Sequence, residues 1–203
     1  FTLRSRSGQS ALQAAIGLPG DHNVSNALAV LAAADFFGIS TAALLSTLQG
    51  FTGVARRFDM KGDAGGVTVV DDFAHHPTAI LKTLKALRER YSGRKLWAVF
   101  EPRTNTTRRG VFQDDLVNAF SLADNVVVAQ AAKLDEIPEG DRLNPEQLMA
   151  DLGSDGRNAK YLPSVNAIVA YIVQNADEGD VVCVLSNGGF GGIHDQLLAA
   201  LGE

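Results

Sequence analysis

The stretch that most limits what this chain can become is Val67 to Pro77, VTVVDDFAHHP, an apolar β-type run that stops in two carboxylates and then two histidines. Downstream the same alternation recurs. Short apolar runs (LWAVFE, NVVVA, AKYL, VVCVLS) are separated by helical stretches (TAILKTLKALRERY, the segment around VFQDDLVNAFSL, NPEQLMADL, VNAIVAYIVQNA, GIHDQLLAALG). Strands this apolar need cover on both faces, and strands joined through helices run parallel. The expected fold class is therefore α/β: a doubly wound, mostly parallel sheet of about five strands with right-handed crossovers.

Upstream, Phe1 to Ile16 alternates apolar and polar residues around Ser7-Gly8, compatible with two short strands and a turn. Gly17 to Asn26, GLPGDHNVSN, reads as a turn-rich loop that hands its polar residues to the start of a helix, ALAVLAAADFF, ended by Gly38. Ser40 reads as the N-cap of TAALLSTLQ, which Gly50 closes. FTGVARRFD reads as a linker, so a small opening portion covers residues 1–54 and the sheet portion residues 55–203. With FTLRS at its start and no initiator Met, the chain reads as part of something longer.

A net charge of -5 leaves no basic footprint for a nucleic-acid duplex or an anionic membrane, although Arg56-Arg57 and Arg108-Arg109 offer local positive charge for phosphates. No run approaches the roughly 18 apolar residues of a membrane helix, and no leader pattern opens the chain, so a cytoplasmic location is expected. The single cysteine, Cys183, lies inside VVCVL. It can form no internal disulfide and reads as a buried strand residue in a reducing compartment.

In an open parallel sheet, ligands bind beyond the carboxyl ends of the strands. Those ends carry Asp71-Asp72 with His75-His76, then Glu101, Arg103 and Asn105, then Gln130 and Lys133, then Ser186-Asn187-Gly188-Gly189. Carboxylates so placed can accept hydrogen bonds from ribose hydroxyls or bind a metal, and a following helix N-terminus favours an anion. The alternative for Asp71-Asp72 is N-capping and loop solvation. His75 and His76 do not read as zinc ligands: adjacent histidines point different ways, no cysteine or third histidine lies at ligand spacing, and His22 and His194 stand alone. Structural or nucleotide-stacking roles suit them better, and no metal site is expected among these residues. SNGGFGG, Ser186 to Gly192, lacks the GxGxxG spacing. It reads either as a turn whose N–H groups can approach an anion or as one that lets a helix pack closely.

Three motifs in order carry a resemblance to a known family. GDHNVSNALAVLAAA resembles the GxHNxxNxxAAxA segment of the Mur ligases, GVARRFD resembles their GxxRRFE, and VVDDFAHHPTAI resembles the DDYAHHPTE signature of their muramate-linked branch. The resemblance covers nearly the whole chain. It implies an ATP-dependent, amide-forming enzyme of bacterial cell-wall synthesis with a UDP-binding domain, a central P-loop ATPase domain and a C-terminal Rossmann-like domain that brings in the amine. Residues 1–54 resemble a small α+β tail of the central domain with its linker, and residues 55–203 resemble the whole C-terminal ligase domain. ATP, with Mg held mainly by the central domain, is the implied cofactor set. The implied partners are UDP-N-acetylmuramate and a murein tripeptide, L-alanyl-γ-D-glutamyl-meso-diaminopimelate, because FEPRTNTTRRGVFQDDL and LSNGGFGGIHDQLL resemble the tripeptide-adding members. An L-alanine-adding member would carry a QPHRYTRT-like segment in place of EPRTNTTRRG.

The same resemblance implies that Asn23 and Asn26 contact the adenine with His22 in the same loop, that Asp72 bonds the ribose, and that Arg57 reaches the γ-phosphate or an acyl phosphate. Phe73 departs from the family's usual tyrosine and removes a hydroxyl. His75, His76, Arg103, Asn105, Ser186 and Asn187 are the expected substrate contacts, and Arg103, Arg108 and Arg109 could line a groove basic and roomy enough for the tripeptide. No GxxxxGK[ST] occurs in the 203 residues, so the chain by itself is expected to be inactive. Outside the enzyme class, the alternative is a stand-alone nucleotide-binding module.

Overall fold

The computed structural model describes residues 1–4 and 11–203, which form two compact units, Phe1–Val54 and Ala55–Glu203. In the first unit, β1 (Thr2–Arg4) pairs antiparallel with β2 (Ala11–Gln13), Leu3 facing Leu12. The turn expected at Ser7-Gly8 lies outside the described residues. Helices α1 (Asp21–Phe36) and α2 (Thr41–Gly50) follow, and Ala27, Leu31 and Leu48 form a small core against Phe1, Leu3, Ile16, Leu44 and Leu45.

Two expectations for this unit need correction. The helix begins at Asp21 rather than Ala27, so His22, Asn23 and Asn26 belong to its first turns and not to a loop. Asp21 suits the positive helix start, and Asn23 donates from Nδ2 to Pro19 O (2.8 Å), so the polar run is accommodated in helical form. Ser40 does stand at the N-cap of α2, but its hydroxyl makes no capping hydrogen bond.

The second unit is a six-stranded sheet in the order β3-β4-β8-β5-β6-β7. Its strands are β3 (Asp59–Ala64), β4 (Val67–Asp72), β5 (Leu96–Phe100), β6 (Asn125–Ala129), β7 (Asn158–Leu162) and β8 (Val181–Leu185). Five of them run parallel. β3 is the sixth and runs antiparallel to β4, where the sequence pattern suggested only a linker and its continuation. DMKGDA has no β-branched residue and one large apolar side chain, so an exposed edge strand of this kind leaves no hydrophobic period to read. The turn was nevertheless written in the sequence: Gly65 and Gly66 both take positive φ (55° and 76°), as a two-residue hairpin turn requires. A Cβ on Gly65 would stand 2.3 Å from Leu201 O, so the turn is also held tight against the chain end.

Helices α3 (Pro77–Arg90), α4 (Gln113–Ala119) and α5 (Pro145–Ser154) follow β4, β5 and β6. They cover one face, where Ile80, Leu84, Leu116, Phe120, Leu148 and Leu152 pack on Val70, Ala98, Phe100, Val126 and Cys183. Helices α6 (Val165–Asn175) and α7 (Ile193–Leu201) cover the other, with Ile168, Ile172, Ile193 and Leu197 against Val69, Trp97, Val99, Val127, Val182 and Val184. Residues alternate between the two cores along the parallel strands, as the two-residue period demands. Burying a side chain of this size contributes about 1.5 to 3 kcal/mol, so the two-sided core dominates this unit's stability. Cys183 sits mid-strand, fully buried, and burial pushes its thiol well above the ordinary range. Among the described residues no helix is long and apolar enough to cross a membrane.

The topology decides where a site can form. β8 returns to the gap between β4 and β5, so the connections leaving β4 and β5 lie on one face and those flanking β8 on the other. A crevice opens beyond the carboxyl ends at such a reversal. Asp72, Leu185 and Phe100 are level there, and the ladder closes with Ser186 N donating to Asp72 O (3.1 Å) and Glu101 N to Leu185 O (3.1 Å).

Candidate functional site

Asp71 and Asp72 end β4 as buried strand residues, 2% and 4% exposed. Neither caps α3. That position belongs to His76, whose Nδ1 accepts from Thr78 N (3.3 Å) ahead of Pro77. Asp72 is largely committed within the chain: Oδ1 accepts from Ala74 N (2.8 Å) and Thr83 Oγ1 (3.2 Å), and Oδ2 from Phe58 N (2.8 Å). A carboxylate offers about four lone-pair positions, so about one remains.

Asp71 faces two basic side chains. Its Oδ2 accepts from Arg56 Nε (3.1 Å), and its Oδ1 lies 3.2 Å from His194 Nε2, close but too poorly aligned to complete a directional hydrogen bond. Burial alone would raise this carboxyl, but the His194 ring and the Arg56 guanidinium outweigh it and hold Asp71 below its ordinary value.

The segment before β3 brings two arginines to this edge. Arg56 and Phe58 both adopt positive φ (62° and 52°), a conformation that costs an L-residue roughly 1 to 2 kcal/mol. Intervening Arg57 is thereby turned outward; it is exposed, its guanidinium 5.5 Å from the Phe73 ring centroid, with no ion pair or hydrogen bond among the described residues. Arg56 turns inward instead, donating from Nη2 to Ser186 O (2.8 Å) and Gly188 O (2.6 Å). Its Nε and Nη2 are thus spent on the fold.

Beyond β5 and β8, Ser186 is fully buried and its hydroxyl donates to Glu101 Oε2 while accepting from Gly188 N (2.9 Å). Arg103 lies directly on Gly188: a Cβ there would fall 1.5 Å from Arg103 Nη1. The absent Cβ at Gly188 is what lets the Arg103 side chain lie against the turn, beside Ser186 and Asn187. Arg103 is exposed and makes no ion pair among the described residues. Asn187 is half-buried with its Oδ1 enclosed and without a hydrogen-bond donor.

The expected basic groove shrinks on inspection. Arg108 is buried, and its guanidinium donates to Asn105 Oδ1 (2.6 Å), Ala132 O (3.1 Å) and Lys133 O (3.0 Å), bracing the loop after β5 against the loop after β6. Arg109 pairs with Asp141 (2.9 Å). Arg103 alone of the three makes no ion pair or hydrogen bond among the described residues, and Asn105 keeps its amide nitrogen and one lone pair of Oδ1 for another partner.

His75 bonds Phe73 O through Nδ1 (3.0 Å) and meets the Phe73 ring edge-on. His76, besides capping α3, packs edge-on against Phe112 and borders a crevice of about 160 Å³ with Thr78, Asp115 and Asn118. Ligand pockets begin at about 300 Å³, so this crevice does not suit a tripeptide. In the first unit, Asn23 and Asn26 lie three apart, on one face of α1. Asn26 is exposed with no hydrogen bond among the described residues. His22 is half-buried. Among the described residues no group of three or more His, Cys, Asp and Glu could hold a metal ion.

Arg57, Asp72, Arg103, Ser186 and Asn187 thus all belong to the carboxyl-end edge of the sheet, whereas the Asn105 amide oxygen is engaged by Arg108, the brace to the loop after β6. Sequence reasoning missed the network of Arg56, Asp71 and His194, whose members are drawn from three distant segments.

Comparison with known proteins follows the same outline. Residues 56–188 match the family model described as "Mur ligase, glutamate ligase domain". The chain is 40% identical over 187 residues to the UDP-N-acetylmuramate:L-alanyl-gamma-D-glutamyl-meso-2,6-diaminoheptandioate ligase of Escherichia coli K12, covering 92% of this chain and 39% of that protein. It is 38% identical over 173 residues to the UDP-N-acetylmuramate:L-alanine ligase of Acetivibrio thermocellus, covering 84% of this chain and 36% of that one. Its backbone is similar to a murein peptide ligase from Psychrobacter arcticus solved by crystallography, with a TM-score of 0.73 at 35% identity, over 96% of this chain and 40% of that one. The chain spans about two fifths of the length of the relatives it matches.

Proposed function

The chain belongs to the Mur ligase family, and we propose that it supplies the C-terminal part of an ATP-dependent ligase joining UDP-N-acetylmuramate to L-alanyl-γ-D-glutamyl-meso-diaminopimelate in the bacterial cytoplasm. The observation that carries this reading is the 40% identity, across 92% of the chain, to a ligase named for those substrates. Residues 1–54 then belong to the central ATP-binding domain and residues 55–203 form the C-terminal ligase domain. The product is a cell-wall peptide precursor of the kind made in recycling.

In the proposed reaction the muramate carboxylate attacks the γ-phosphorus of ATP and displaces ADP to give an acyl phosphate, and the tripeptide amine then attacks its carbonyl, releasing phosphate and leaving an amide. ATP, with Mg, supplies the phosphoryl group. The described residues offer no cluster for the metal, which the central domain would mainly hold. Arg57 fits an anion: it is exposed, makes no ion pair or hydrogen bond among the described residues, and can offer a planar fork to phosphate oxygens. Asp72 fits a ribose hydroxyl through its remaining lone-pair position, and Asn23 and Asn26, with His22, are the adenine-side residues. Arg103 suits a carboxylate of the peptide. Asn187, half-buried next to Arg103, is the peptide-side neighbour by position, and Ser186 holds that turn in shape. His75 and His76 support the edge through Phe73 and α3.

The second reading is the L-alanine ligase, favoured by the 38% identity to the Acetivibrio thermocellus enzyme. Phosphate release by the full-length enzyme with ATP and UDP-N-acetylmuramate distinguishes the two. Turnover with the tripeptide and little with L-alanine is expected. The reverse preference would establish the second reading, and no turnover with either would favour a non-catalytic nucleotide-binding module.

A further inference from the structure

Arg56 and Arg57 are neighbours of the same type put to opposite uses. Arg57 points to solvent, while the Arg56 guanidinium reaches two carbonyls of the turn after β8 and the Asp71 carboxylate at the end of β4, which His194 of α7 flanks from the far side. The Arg56 main chain is held as firmly: its N–H donates to Asp59 Oδ2 (3.2 Å), its carbonyl accepts from Phe73 N (2.9 Å), and the next left-handed residue, Phe58, is held by Asp72. Arg57 is thus fixed at both of its peptide neighbours by one connected set of partly buried contacts, and the same set fixes Ser186 to Gly188.

We propose that Arg56, anchored by Asp71 and His194, is a positioning residue that sets Arg57 and the Ser186–Gly188 turn together, so that one guanidinium aligns the anion-facing and the peptide-facing sides of the edge. What Arg57 and the turn then do rests on the ligase reading. The alignment itself does not.

Lysine at position 56 keeps the charge, but a single ammonium cannot reproduce the planar fork that reaches a carboxylate and two carbonyls at once. Amide hydrogen exchange on the chain itself reads the alignment without any activity. In Arg56→Lys, the amides of Phe58, Phe73 and Gly188 should exchange about tenfold faster while those of Val70 and Val184, in mid-strand, stay unchanged. Acceleration spread evenly over the sheet, or none at the three sites, would overturn the proposal. Should Arg56→Lys fail to fold, His194→Gln leaves the carbonyl contacts in place and should give a smaller acceleration at the same three amides; no change there would also overturn it.

In the full-length enzyme, Arg56→Lys should lower kcat about tenfold, but no more than about twofold when Arg57 is already alanine, because a residue acting through Arg57 has nothing left to position. Equal losses in the two backgrounds would show that Arg56 only supports the fold. A full-length enzyme that makes no amide would sink the ligase reading, and the exchange measurement would still decide the alignment.

Discussion

Replacing Asp72 separates a ligand from a structural support. Asp72→Ala removes the acceptor for three donors, Phe58 N, Ala74 N and the buried Thr83 hydroxyl. Each lost hydrogen bond costs about 1 kcal/mol, and more where the orphaned donor stays enclosed. The sum is about 3 kcal/mol, a large part of the roughly 5 to 15 kcal/mol by which a domain is stable. Asp72→Asn keeps one carbonyl oxygen; oriented to serve Ala74 and Thr83, it turns its amide group toward the Phe58 N–H. One bond is then lost and two donors meet, so about 1 to 2 kcal/mol is expected. Urea unfolding of the chain gives both values from the shift in midpoint at constant slope. Losses below about 0.5 kcal/mol in both variants would mean that the three contacts do not hold the β4 end, and the placement of the Phe58 turn would need another cause. A nucleotide role for Asp72 in the full-length enzyme should therefore be judged on Asp72→Asn at matched folded fractions, where a raised KM for ATP isolates the ribose contact.

Three further outcomes can be checked. Gly188→Ala should leave unfolding free energy within about 1 kcal/mol, because the atom in the way is the end of a mobile arginine side chain, yet it should displace Arg103 and raise KM for the tripeptide several-fold in steady-state assays; an unchanged KM would exclude Arg103 from the peptide contacts. The lowered Asp71 carboxyl contributes stability that is complete above its unfolded value of 3.8 and is lost as pH falls through the still lower native value, so urea midpoints should fall across that acid range in the parent and less in Asp71→Asn. The chain alone, which contains no GxxxxGK[ST], should release no phosphate from ATP above background in a coupled assay with both substrates, since phosphoryl transfer depends on positioned charge.

The alternation of apolar strands with amphipathic helices made the doubly wound sheet legible, because a strand such as VVCVL, buried on both faces, must be apolar throughout and cannot be mistaken for a polar surface segment. β3 was not legible for the converse reason: an edge strand facing solvent is under no such demand, and only Gly65-Gly66 betrayed its hairpin. The segment GDHNVSN reads as a loop, since Asp, Asn and Ser favour turns locally, and nothing within it says that the helix reaches back to Asp21.

At the sheet edge, residue type told less than residue surroundings. Arg56 and Arg57 are indistinguishable in ARRFD, as are Arg108 and Arg109 in TTRRG, yet in each pair the first side chain is consumed by main-chain carbonyls. Those carbonyls come from loops dozens of residues away, Ser186 and Gly188 for Arg56, Ala132 and Lys133 for Arg108. A carbonyl carries no side-chain signature, so its demand for a donor cannot be read from sequence. A guanidinium with five donors is the side chain best able to close several loops at once. In each pair, then, the first arginine is a strut; Arg109 is held by Asp141, and only at Arg56-Arg57 does the second side chain stay exposed without an ion pair or hydrogen bond among the described residues, which is where the proposed positioning by the strut can be tested.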